Sequence, residues 1–127
     1  RLPRVLGVEK ALEMMTSGKP IGATEALAGG LIERIIEGDL RTGALAFARE
    51  SVADKMPLQR VRDRDEKLVS ARENPGVFAT IRSKIARKTR GFLAPEYKIR
   101  CIEAAVNQPF DEGMQTESSL FTELVSG

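Results

Sequence analysis

Acidic side chains that could work in pairs stand at two places in the chain. Glu9 and Glu13 are four residues apart on a predicted helix and share one face, and Asp111 and Glu112 open another predicted helix. Paired carboxylates can serve as general acid and general base. Carboxylates in a first helical turn are also stabilised by the helix dipole, and those on an exposed face are solvated. Both interpretations stay open, and we assign no catalytic residue from these spacings.

The composition excludes several other kinds of chemistry. The 127 residues include no histidine and one cysteine, Cys101. This excludes Ser-His and Cys-His nucleophile arrangements and argues against a zinc site, so we predict no metal ligand. A lone cysteine forms no internal disulfide, which fits a reducing intracellular compartment. Because Cys101 lies on a predicted helical stripe, we expect a small buried residue rather than a nucleophile.

The elements that carry these residues are mostly helices. Periodic apolar positions predict a mainly α fold with five to six helices and at most one short strand. The strand is predicted at the apolar run Leu31–Ile36, and residues 57–67 alternate in charge, which is typical of an exposed connection. The predicted helices cover residues 8–15, 23–28, 40–55, 75–90, 95–107 and 110–126.

Charge is distributed unevenly along the chain. Residues 55–100 carry 13 basic and 5 acidic groups, whereas residues 101–127 carry 5 acidic groups and no basic one. A basic middle fits a polyanionic partner, or a solvated helix face that meets the acidic tail. The chain has one tyrosine and no tryptophan, so platforms for base stacking are scarce and we do not expect a nucleic-acid partner.

Residues 16–32 read TSGKPIGATEALAGGLI. This segment predicts, in order, the end of one helix, a turn, a short second helix and the end of that helix. This order resembles a pattern of the enoyl-CoA hydratase/isomerase (crotonase) superfamily, in which Thr-Gly-x-x-Ile precedes a short alanine-rich helix and then Gly-Leu-Val/Ile. Residues 1–7, RLPRVLG, are similar to the Gln-Arg-Leu-Pro-Arg-x-x-Gly run that follows the active-site loop of that family. The doubled Gly29-Gly30 departs from the single glycine usual there.

A second likeness covers residues 91–127. The string PFDEG at 109–113, followed by Glu117 and Leu120-Phe121, resembles the end of the hydratase/isomerase half of multifunctional fatty-acid oxidation enzymes. Those enzymes fuse this half to a 3-hydroxyacyl-CoA dehydrogenase. Ser118 departs from the arginine often found after that glutamate. The resemblance therefore implies that the chain is the helical region that follows the spiral core of a crotonase-type domain.

The resemblance also implies a domain organisation. Residues 1–127 would form a single helical domain or domain fragment. Within it, residues 1–56 would end the crotonase-type domain, residues 57–73 would be a polar connection, and residues 74–127 would extend toward the dehydrogenase part. The upstream spiral core and the downstream dehydrogenase part are the partners that this organisation implies. The chain begins with Arg1 rather than methionine, so processing, trimming and a fragment are all open interpretations.

The activity that the resemblance implies belongs to a parent protein. Such a protein adds water to a 2-enoyl-CoA or shifts its double bond, with two carboxylates as acid and base and two backbone N–H groups holding the oxyanion. In the family these groups precede the segment matched by residues 1–7, so no catalytic residue is assigned here and the chain alone is predicted to be inactive. Acyl-CoA and NAD are implied for the parent only, and no cofactor-binding residue is assigned.

Three apolar residues near the end of the last helix form the one candidate substrate-binding set. The resemblance implies that Leu120, Phe121 and Leu124 line or cover the acyl pocket, and ordinary helix packing is the alternative. Apolar helix faces left uncovered would favour self-association. A second hypothesis for the whole chain is a non-catalytic helical interaction module whose basic middle binds an acidic partner.

The cellular compartment is predicted from signals that the sequence lacks. No apolar run approaches the ~20 residues of a membrane span, so no span is expected. We expect a cytoplasmic location, with peroxisome and mitochondrion left open.

Overall fold

The computed structural model describes residues 1–127, and every regular element in it is helical. The eight α-helices are α1 (Leu2–Leu6), α2 (Val8–Ser17), α3 (Ala23–Gly29), α4 (Leu40–Ala53), α5 (Val69–Glu73), α6 (Gly76–Ile85), α7 (Ala94–Asn107) and α8 (Phe110–Ser126). Two 3-10 turns, at Val61–Asp63 and Glu66–Leu68, precede α5. The mainly α prediction is confirmed, but the predicted count of five to six helices is wrong. The additional helices, α1 and α5, have five residues each, too few to show a helical period in the sequence.

Local signals set the ends of α2, α3 and α4. Gly18 and Gly30 follow the first two helices with φ of 65° and 82°, a left-handed conformation that glycine adopts without a steric penalty. The carboxylate of Asp39 accepts a hydrogen bond from the backbone N–H of Thr42 at 2.8 Å and caps α4. The observed ends of these three helices therefore lie within two residues of the predicted ones.

The hydrophobic core lies where α2, α5, α6 and α7 meet. It contains nine buried residues, Val8, Ala11, Leu12, Leu68, Ala71, Phe78, Ile99, Ile102 and Val106. Their spacing of three and four residues on α2 and α7 gives each helix one apolar face, and these faces meet. Leu68 and Ala71 belong to the segment interpreted as a polar connection, so this segment also contributes to the core.

The predicted strand at Leu31–Ile36 is absent. The chain offers no second strand to pair with it, and the run lies against α4 instead. The guanidinium of Arg34 lies 4.5 Å from the ring centroid of Phe47 and forms an ion pair with Glu50 at 2.7 Å. A Cβ placed on Gly43 would lie 2.2 Å from Cγ2 of Ile36, so this glycine makes room for the isoleucine.

Helix α4 has no buried residue. Leu45 and Val52 of this helix are 48% and 79% exposed. Leu40, its first residue, and Met56, which follows the helix, are exposed as well. Self-association through such a face stays a prediction. None of the helices has both the length and the apolar character needed to cross a bilayer.

Candidate functional site

An apolar cavity of about 620 Å³ opens between α1, α7 and α8. Of its 19 lining residues, 12 are hydrophobic. Leu2 and Pro3 of α1 and Met15 of α2 form one side of it. This volume lies within the range of roughly 300–1,000 Å³ that is typical of pockets for small ligands. The cavity can therefore bury an apolar group, although its lining also includes the buried Arg4.

Helix α8 forms one wall because its apolar residues recur at helical spacing. The lining residues of this wall include Phe110, Met114, Leu120, Phe121 and Leu124. Helix α8 folds back along α7, and the hydroxyl of Tyr97 on α7 donates a hydrogen bond to the carboxylate of Glu123 on α8. This bond joins two walls of the cavity.

All three residues of the predicted substrate-binding set line this cavity. Leu120 is buried, Leu124 is half-buried, and Phe121 is 67% exposed at the edge. Leu120 and Leu124 thus belong to the wall, whereas Phe121 stands at its exposed edge. Their part in binding a substrate stays a prediction.

Helix α7 forms the opposite wall with Ala94, Tyr97, Cys101 and Ala105. Cys101 is half-buried. Burial raises the pKa of its thiol, and the nearby carboxylate of Glu117 raises it further. The thiol is therefore protonated near neutral pH, which makes it a poor nucleophile and a suitable part of an apolar wall.

One end of the cavity is fastened by a buried arginine. The side chain of Arg4 donates hydrogen bonds from Nη1 to the carbonyl oxygens of Arg62 and Arg64, each at 3.1 Å. The guanidinium groups of Arg4 and Arg62 lie 5.4 Å and 4.8 Å from the ring centroid of Phe110. Arg4 is only 5% exposed. These contacts join α1, the 3-10 turns and the start of α8, which no local sequence pattern could reveal.

Neither predicted acidic pair lies in the cavity. Asp111 forms an ion pair with Arg62 at 2.7 Å, and a carboxylate oxygen of Glu13 lies 3.8 Å from Nζ of Lys10. All four carboxylates of the two pairs are exposed. No group of three or more His, Cys, Asp and Glu side chains is arranged to hold a metal ion.

Much of the basic middle is paired within the chain. Arg82 binds Glu96 and Glu103, each at 2.7 Å, and its pKa is raised mainly by the hydrogen bonds to Glu103 and then by those to Glu96. Arg72 pairs with Asp65 at 2.6 Å. The bonds of Arg62 to Asp111 and of Arg82 to Glu103 connect the basic middle to the acidic tail, as the solvated-face interpretation predicts.

Comparison with known proteins finds relatives along nearly the whole chain, although no protein-family model matches it. The chain is 35% identical over 124 residues to the peroxisomal bifunctional enzyme of Homo sapiens, covering 98% of this chain and 17% of that protein. The protein of the same name from Cavia porcellus is 33% identical over 124 residues, which are 97% of this chain and 17% of that protein.

The Danio rerio protein of this name is more distant. It is 30% identical over 131 residues, with 99% of this chain and 17% of that protein covered. The chain thus spans about a sixth of the length of the curated relatives it matches. Its sequence is similar to one segment of proteins named peroxisomal bifunctional enzyme.

Proposed function

We propose that the chain is the helical part of the enoyl-CoA hydratase/isomerase half of a multifunctional fatty-acid oxidation enzyme, and that its cavity receives the acyl chain of acyl-CoA. The observation that carries this proposal is the apolar cavity of about 620 Å³ with Leu120, Phe121 and Leu124 in its wall. The relatives named bifunctional enzyme support a parent with more than one activity. Their names also favour a peroxisome among the compartments that the sequence leaves open.

The cavity suits a hydrocarbon chain better than a polar ligand. Each buried methylene contributes about 0.8 kcal/mol, so the α7 and α8 walls can hold an acyl chain by burial alone. Phe121 stands exposed at the edge, where it can cover an inserted chain and exclude water. Lys98 and Glu117 stay in contact with solvent at the edge. The buried guanidinium of Arg4 is satisfied by the carbonyl oxygens of Arg62 and Arg64.

The chemistry of hydration would come from outside this chain. The lining offers no acid and base pair, because Glu117 is its single carboxylate and the hydroxyl of Tyr97 is bound to Glu123. The carboxylates and the oxyanion-binding N–H groups would belong to the upstream spiral core. NAD would bind the dehydrogenase part, and we assign no residue here to it. The role proposed for this segment is to hold and cover the acyl chain.

Hydration assays test the proposal. We expect the 127-residue chain to be inactive toward enoyl-CoA and a protein extended upstream through the active-site loop to be active. In the extended protein, Leu124→Gln should raise KM for long enoyl chains several-fold and leave short ones unchanged. Val125→Gln is the matched control, because Val125 is 69% exposed and does not line the cavity.

Two results would contradict the proposal. Turnover by the chain alone would show that it carries its own acid and base, and Glu9, Glu13, Asp111 and Glu112 would then be tested first. Equal effects of Leu124→Gln and Val125→Gln on every chain length would show that the cavity does not hold the acyl chain.

A second candidate function is binding of an acidic partner through the basic middle. The cations of Arg62, Arg72 and Arg82 are already paired with carboxylates of the chain. The positive charge that remains unpaired is therefore concentrated at the end of α6 and in the connection to α7.

A further inference from the structure

The end of α6 and the connection to α7 carry four cations that form no ion pair within the chain. Lys84, Arg87, Lys88 and Arg90 lie within seven residues, and all four are exposed. None of them takes part in an ion pair of the chain. No acidic residue occurs between Glu73 and Glu96. We call these four cations, together with Phe92 and Leu93, the basic corner.

The backbone of the basic corner is fixed to the core. The hydroxyl and the backbone N–H of Thr89 both donate to the carbonyl oxygen of Ile85, at 3.0 and 3.1 Å. Ile85 packs against the hydrophobic core. The N–H of Phe92 donates to the carbonyl oxygen of Thr89 at 3.0 Å, and Gly91 turns the chain with φ of 86°. The corner is thus a turn held by backbone hydrogen bonds, with its four cations exposed to solvent.

Two large apolar residues follow these cations closely in the chain, and both are exposed. Phe92 is 71% exposed and Leu93 is 63% exposed, and neither belongs to the core or lines the cavity. A soluble polyanion would use the cations alone. A lipid surface uses both kinds of side chain, because cations bind anionic headgroups while apolar side chains enter the boundary with the acyl region.

We propose that the basic corner docks the chain on an anionic lipid bilayer, where it lies on the surface without spanning it. Lys84, Arg87, Lys88 and Arg90 meet the phosphate and carboxylate headgroups. Phe92 and Leu93 insert below them. This inference is independent of the acyl-binding proposal, since no residue of the corner lines the cavity.

Vesicle flotation of the full 127-residue chain tests the inference. The vesicles contain phosphatidylcholine alone or with an equal amount of phosphatidylserine. We expect binding only to the anionic vesicles, weakened by added salt. Lys88→Gln combined with Arg90→Gln should lower the partition coefficient about 25-fold, at roughly fivefold for each cation near the surface. Lys19→Gln with Arg49→Gln is the matched control, because both side chains are exposed, unpaired and outside the basic corner. This control variant should not lower the partition coefficient comparably.

The apolar residues decide which partner the corner fits. Phe92→Ser with Leu93→Ser should weaken vesicle binding on the order of tenfold. Leu40→Ser with Val52→Ser, exposed on α4, should not. Absence of binding to anionic vesicles would overturn the inference. It would also be overturned if the Phe92 and Leu93 variant bound as well as the unchanged chain, because charge alone would then explain binding and the partner would be a soluble polyanion or an acidic protein.

Discussion

The hydroxyl of Tyr97 on α7 donates a hydrogen bond to the carboxylate of Glu123 on α8, 26 residues further along the chain. Tyr97 also lines the cavity, so the bond holds together the two helices that form its walls. Tyr97 is the only tyrosine, and the chain has no tryptophan. Every tyrosine signal of the protein therefore reports on this contact.

Titration of tyrosinate absorbance should give a midpoint above the ordinary value of about 10. The hydrogen bond to Glu123 raises the pKa of Tyr97, and burial adds to it. Because the pKa is higher in the folded state, the contribution of the bond to stability is complete below the unfolded pKa and is lost as pH rises through the folded one. Glu123→Gln should bring the midpoint toward the ordinary value; identical midpoints in the two proteins would contradict the contact.

Arg4→Met should destabilise the protein by about 1–3 kcal/mol, because the carbonyl oxygens of Arg62 and Arg64 lose their charged donor in a part-buried site. The measurement is urea unfolding followed by helical circular dichroism. Arg41→Met is the control, since Arg41 is exposed on α4 and unpaired, and its effect should stay within roughly 0.5 kcal/mol. Equal losses for the two variants would show that Arg4 does not fasten α1 to the 3-10 turns.

Acid should weaken the fold partly through Asp65. The hydrogen bonds from Arg72, at 2.6 and 2.7 Å, hold the pKa of Asp65 below its ordinary value. A lowered folded pKa means that this contribution is present above the unfolded pKa of about 4 and disappears as pH falls through the folded pKa.

The effect of Asp65 should be small, at most about 1 kcal/mol, because the pair is exposed to solvent. The free energy of unfolding of Asp65→Asn should therefore approach that of the unchanged chain as the pH is lowered. A difference that is constant across the pH range would show that the lost side chain, rather than the lost charge, is responsible.

Truncating a side chain in the core should lower the free energy of unfolding far more than truncating one on α4. Leu12 is 1% exposed and Val52 is 79% exposed. Leu12→Ala should cost about 2–5 kcal/mol, since it removes buried methyl groups and leaves a cavity. Val52→Ala should change the free energy of unfolding by less than roughly 0.5 kcal/mol. A large loss for Val52→Ala would mean that α4 is covered in solution, for example by a second copy of the chain.

Local chemistry made much of this fold predictable. Helices α7 and α8 follow from the apolar period and from the break at Gln108-Pro109 between them. The buried positions Leu12 and Ile102 follow from the same period. Helix α6 ends at Ile85, earlier than predicted, because the chain turns there although the residues up to Arg90 suit a helix.

Contacts between residues far apart in the chain could not be predicted from the sequence. The run at Leu31–Ile36 has the composition of a strand, but a strand requires a partner, and the nearest surface is α4 at Gly43. The cavity shows the same limit. Leu120, Phe121 and Leu124 could be selected from a resemblance, whereas the opposite wall with Cys101 depends on how α7 lies against α8.

The most direct test of the central claim is calorimetric titration of the chain with acyl-CoA of increasing acyl length, compared with free coenzyme A. The account predicts that affinity rises roughly fourfold for each added methylene until the cavity is filled, from about 0.8 kcal/mol of burial per methylene. It also predicts that Ala105→Phe, which fills the cavity from the α7 wall, abolishes this dependence. Affinity that is independent of acyl length, and equal to that of free coenzyme A, would contradict the claim that this cavity binds the acyl chain.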